Sequence, residues 1–68
     1  MGASEHIKKA LKDKRVTQEE LAERVGKPRQ TVYNMMSRDT MKFSMVEVYA
    51  DAIGCDVVLV DRETGKVY

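Results

Sequence analysis

Gln30 and Asn34 stand four residues apart in the run Arg29-Gln-Thr-Val-Tyr-Asn-Met-Met-Ser37. Each amide carries donors and an acceptor, and that spacing puts the two on one face of a helix. Stepping roughly 100° per residue brings Ser37 to the same face, opposite an apolar stripe of Val32, Met35 and Met36. Tyr33, Thr31 and Arg38 flank it, and Arg29 lies near the N-terminal end. Such a set recognises by hydrogen bonding and does not make or break bonds. The chain holds one histidine, His6, on an expected exposed face, and one cysteine, Cys55, which reads as a small buried apolar residue. With no phosphate-binding glycine loop and no metal-ligand spacing, nothing assembles into a catalytic, metal or cofactor site. A helix with this polar face fits the major groove of B-DNA, where Gln and Asn can pair bidentately with adenine and Arg with guanine.

The elements that must hold this face run from Thr17 to Ser37. Thr17 and Glu20 form a capping box that starts a helix. Leu21, Ala22 and Val25 recur at three- and four-residue spacing as its apolar stripe. Gly26 can take the left-handed conformation at the helix end, and Pro28 suits the first turn of the next. The spacing therefore predicts two helices meeting at a sharp corner, the second from about Pro28 to Ser37. Gln18 sits in the first turn of the first helix, where free backbone N–H groups and the helix dipole attract an anion such as a phosphate.

These residues resemble a known family. Gln18-Glu-Glu-Leu-Ala22, Gly26, Arg29-Gln-Thr-Val32 and Met35 look like the helix-turn-helix of the phage Cro and repressor type, the xenobiotic-response-element class of bacterial regulators. The resemblance spans about residues 4 to 54. It implies that Gln18, Arg29, Gln30, Tyr33 and Asn34 stand where family members touch phosphates or bases. Two positions depart from the family pattern: Lys27, where an apolar residue is usual, and Pro28, where a capping Ser or Thr is usual.

Sixty-eight residues make one domain, 1–68, near the lower size limit for a core without disulfides or metal, a limit that dimerisation would relieve. The net charge of +1 is unevenly spread: residues 1–42 hold ten Lys and Arg against six Asp and Glu, and residues 43–68 two against five. The basic part coincides with the helix-turn-helix, as expected if that end faces phosphates. Lys27 and Lys42, with Gln18, Ser37 and Arg38, are the candidate phosphate contacts, and Arg29, Gln30, Thr31, Tyr33 and Asn34 the candidate base readers. A lone thiol and the lack of a secretion signal or an apolar run of about 18 residues point to a soluble cytoplasmic protein with no membrane partner.

Ser4 to Arg15 reads as a first helix capped by Ser4, with Ile7, Ala10 and Leu11 on one face. Arg38 to Phe43 reads as a loop in which Phe43 anchors the chain to the core. Ser44 to Ile53 reads as a fourth helix, with Ser44 and Glu47 as a second capping box and Gly54 as its stop. Its faces carry more apolar surface than a surface helix needs: Val46, Tyr49, Ala50 and Ile53, then Met45, Val48 and Ala52. Val57-Val58-Leu59-Val60 reads as a strand covered on both sides, 62–65 as a turn and 66–68 as a short return. The expected fold is mainly α: a four-helix, lambda-repressor-like helix-turn-helix domain with a C-terminal β-strand or hairpin at 55–68. That segment either pairs with its copy in a homodimer, with Met45, Val48, Ala52 and Val57 to Val60 at the interface, or folds back on its own helices. A double-stranded-DNA-binding regulator is the reading favoured by the polar face. The alternative is a protein-interaction module on the same scaffold, with a partner such as a toxin.

Overall fold

A computed structural model describes residues 2–38 and 41–68. It contains four helices: α1 (Ala3–Lys14), α2 (Gln18–Val25), α3 (Arg29–Ser37) and α4 (Phe43–Ala52). Both α1 and α2 pack against α3 and α4. Their apolar stripes meet in one core of Ile7, Leu11, Leu21, Ala22, Val32, Met36, Tyr49 and Ile53. Burying a side chain the size of Leu21 or Val32 contributes about 1.5–3 kcal/mol, and both are fully shielded.

Three helices end by the same backbone device. A residue just past each end has positive φ: Arg15 at 57° and Gly26 at 70° directly after α1 and α2, and Gly54 at 72° one residue beyond Ile53, which caps α4. The following N–H reaches back five residues, from Val16 to the Leu11 carbonyl (2.9 Å), from Lys27 to Ala22 (3.0 Å) and from Cys55 to Ala50 (2.8 Å). This satisfies carbonyls that a helix end would otherwise leave open.

The helix starts differ from expectation at two places. Ser4 does not cap α1; Gly2 holds that position, and Ser4 lies one residue inside the helix, buried on the stripe that continues to Ile7 and Leu11. Nor do Ser44 and Glu47 form a capping box. The N–H groups of Met45 and Val46 both donate to the Lys42 carbonyl, at 2.9 and 3.0 Å, so α4 starts at Phe43 and Ser44 is already helical. Phe43 is 65% exposed and anchors nothing; Met41, half-buried, packs against the core instead. Asp39 and Thr40, the turn formers of the expected loop, lie outside the described residues.

Tyr49 is fully shielded in the core, and its hydroxyl donates to Met35 Sδ at 3.0 Å. Sulfur is a weak acceptor, and burial raises the Tyr49 pKa from its ordinary value of 10.0.

The C-terminal segment forms a short hairpin and not the covered strand expected over 57–60. Its ladder is one antiparallel bridge, Val60 to Val67, with the Tyr68 N–H donating to the Leu59 carbonyl and the Asp61 N–H to Lys66, both 2.9 Å. A turn does follow, near 62–65 as expected: Gly65 has φ 74°, and Asp61 Oδ1, which the sequence reading did not single out, accepts from the N–H of Glu63 (2.8 Å) and Thr64 (3.2 Å). Lys66 Nζ lies 5.2 Å from the centre of the Tyr68 ring. Val57, Val58, Leu59 and Val60 are 40 to 72% exposed. A lone two-stranded hairpin has no neighbouring strand to complete a sheet, so β-branched residues here extend the chain without burying it. The molecule measures 40 × 23 × 18 Å, and its radius of gyration, 12.6 Å, exceeds the about 11 Å expected for a compact chain of this length.

Candidate nucleic-acid interface

The corner between α2 and α3 is made by the backbone. Thr17 Oγ1 accepts from the Glu20 N–H at 3.1 Å and fixes the start of α2. The Thr17 hydroxyl in turn lies 3.5 Å from Glu20 Oε1, to which it donates. Gly26 and Lys27 close α2, and Pro28, with φ −60° and ψ 143°, turns directly into α3. The Val32 N–H donates to the Pro28 carbonyl at 3.3 Å, which makes Pro28 the cap and Arg29, one residue later than expected, the first helical residue. Proline's fixed φ and missing N–H suit this boundary.

Val32 and Met36 are then buried, with Met35 half-buried beside them. That orientation leaves Arg29, Gln30, Tyr33, Asn34 and Ser37 exposed along one side of α3, with Arg38 exposed just beyond its end. Thr31 is half-buried on the flank. On the exposed side Gln30 Nε2 donates to Asn34 Oδ1 at 3.2 Å. Ser37 Oγ donates to the Asn34 carbonyl at 3.0 Å, a bond within the helix that occupies its hydroxyl proton.

The start of α2 lies beside the start of α3. Arg29 Nη1 is 3.7 Å from Glu19 Oε2 in an exposed ion pair. Sequence reasoning missed Glu19, because the pairing depends on how two helices cross; the available signal was a carboxylate next to Gln18 at the edge of a basic region. Gln18 is half-buried, and its Oε1 is buried without a hydrogen-bond partner among the described residues. The donors of that amide are the two N–H groups on Nε2. Lys27 is half-buried in the corner, and Lys42 is exposed at the cap of α4. Behind the face, Arg24 Nη1 donates to the Ala52 carbonyl at 3.2 Å and lies 4.0 Å from Glu20 at its other terminal nitrogen, bracing α2 against the end of α4.

Val48, Val57, Val58, Leu59 and Val60 are exposed, while Met45 and Ala52 are half-buried. Cys55 is half-buried against the core, with its thiol 3.9 Å from the Ile53 carbonyl. Among the described residues, no group of three or more His, Cys, Asp or Glu side chains could hold a metal ion, and no helix is long and apolar enough to cross a membrane.

Neither a curated protein nor a solved structure matches the chain. A family model described as Cro/C1-type HTH DNA-binding domain matches residues 6–58, which takes in α1 from His6 onward, all of α2, α3 and α4, and the start of the C-terminal segment. The chain therefore belongs to the Cro/C1-type helix-turn-helix family of DNA-binding transcription regulators.

Proposed function

We propose that residues 1–68 act as a single sequence-specific DNA-binding domain that works as a dimer, a cytoplasmic repressor of phage, mobile-element or toxin–antitoxin type. The observation that carries this reading is the uncovered outer side of α3: Gln30, Tyr33 and Asn34 face solvent while Val32 and Met36 tie the same helix to the core. In a major groove Arg29, Gln30, Thr31, Tyr33 and Asn34 read base edges. Gln18 Nε2, Lys27, Ser37, Arg38 and Lys42 meet phosphates, which fix register without reading sequence.

Dimerisation is supported by the exposed aliphatic run of 57–60, a short ladder with apolar side chains on both faces. Met45, Val48 and Ala52 of α4 extend that surface. A second subunit pairing along Val57 to Val60 would set two half-sites about 34 Å apart. The same exposed segment also supports a second use, docking of a protein partner such as a toxin.

Selection from random duplexes, followed by gel retardation across a salt series, tests the DNA reading. The expected outcome is a two-fold-symmetric consensus whose binding weakens steeply with salt; no retardation of any duplex at low salt rejects it. Sedimentation is expected to give a dimer at micromolar concentration, and a monomer there rejects the pairing.

A further inference from the structure

On the outer side of α3 one hydrogen bond joins two of the residues assigned to base reading: Gln30 Nε2 donates to Asn34 Oδ1 at 3.2 Å. A side-chain amide has two N–H donors and an oxygen with two lone pairs. The bond uses one donor of Gln30 and one lone pair of Asn34. Gln30 retains its whole oxygen and one N–H, whereas Asn34 retains both N–H groups and one lone pair. The two amides are therefore not equivalent readers, although their residue types suggest the same base.

We propose that Gln30 and Asn34 form one preassembled reading unit, in which Gln30 takes adenine and Asn34 donates to the acceptor edge of a neighbouring base. The proposal rests on the DNA-binding reading above and deepens it. Adenine presents a donor beside an acceptor, N6–H and N7, which matches the oxygen and remaining N–H of Gln30. Guanine N7 and O6 and thymine O4 are acceptors and match the two N–H groups of Asn34. Cytosine presents a donor there, which those two N–H groups cannot meet and only the remaining lone pair of Asn34 Oδ1 could. A free glutamine amide samples both of its orientations; one held by Asn34 arrives at the base with its orientation already chosen, so less rotamer freedom is lost on binding. Asn34 is then a reader in its own right and a positioning residue for Gln30.

The full chain, Gln30→Ala, Asn34→Ala and the double variant are compared by selection from random duplexes, with helix content checked by circular dichroism. Each single change is expected to flatten preference at the same neighbouring base pairs, and the double variant to bind the preferred duplex within about twofold of the weaker single variant, because the unit is already broken. Single changes that flatten different positions, with losses that multiply in the double variant, overturn the proposal; so does a consensus that places cytosine opposite Asn34. In the free protein, Asn34→Ala is expected to move the Gln30 side-chain NH2 resonances, and unmoved resonances also overturn it. If the wild-type chain retards no duplex at low salt, the DNA-binding reading itself fails and takes this proposal with it, whatever the amide resonances show.

Discussion

Gln18 puts two opposed demands on one side chain. Its inward oxygen has no hydrogen-bond partner among the described residues, and a buried acceptor left unmade costs about 1–3 kcal/mol, less here because the residue is only half-buried. Its amide nitrogen is the group proposed to meet a phosphate. Gln18→Met keeps the length and removes both. The expected result is a chain up to about 1 kcal/mol more stable in urea melts that binds every duplex several-fold more weakly. A loss of both properties together would assign Gln18 a structural role instead. Tyr49 gives a second residue-scale test. Burial raises its pKa, so the unfolded chain releases the hydroxyl proton first, near pH 10, while the folded chain keeps it. The stabilisation is full below that pH and is lost as pH rises toward the folded value. Urea melts between pH 9 and 11 should fall more steeply for wild type than for Tyr49→Phe, which lacks the titrating proton but also the bond to Met35 Sδ.

At the scale of elements, the helix ends are decided by backbone conformation, and two of them allow opposite substitutions. Arg15 holds φ 57° with a side chain; the left-handed region costs a non-glycine residue about 1–2 kcal/mol, against about 0.5–1 kcal/mol for glycine's extra freedom when unfolded. Arg15→Gly is therefore expected to stabilise by about 0.5–1 kcal/mol and Gly26→Ala to destabilise by a similar amount. A Cβ at Gly26 meets nothing within 4 Å among the described residues, so the second change tests conformation without a steric clash. Equal and opposite shifts in urea midpoint check the pair. The corner was legible in the sequence because Gly26 tolerates positive φ and Pro28 fixes its own φ, and Leu21 and Val32 mark the buried sides. The start of α4 was misread for a physical reason: Ser44 and Glu47 have the right types and spacing, but a capping box forms only where the serine backbone is non-helical. Here the Lys42 carbonyl has already opened the helix. Likewise Val57 to Val60 have strand propensity, yet propensity reports fit to a half-buried pleated surface, and one chain supplies no such surface. The polar face of α3 could be read from periodicity alone, whereas the Glu19 to Arg29 pair could not, since it depends on the crossing of two helices.

For the molecule as a whole, the charge asymmetry and the uncovered hairpin point in different directions: the basic helices toward phosphates, the aliphatic C-terminus toward another chain. If the hairpin is covered by a second copy, the melting temperature must rise with protein concentration, because folding and association are then linked. Dilution from about 100 to 1 μM should lower it by several degrees, and Leu59→Asp, at a residue 72% exposed, should abolish that dependence without unfolding the monomer. The corner ahead of α3 has a wider consequence. Pro28 opens that helix with no side-chain cap, so none of its outward residues is committed to starting it. Exchanging Arg29, Gln30, Tyr33 and Asn34 for another quartet should leave the scaffold intact. The recognition surface then behaves as an interchangeable cartridge, and new operators come within reach by substitutions that the fold barely registers.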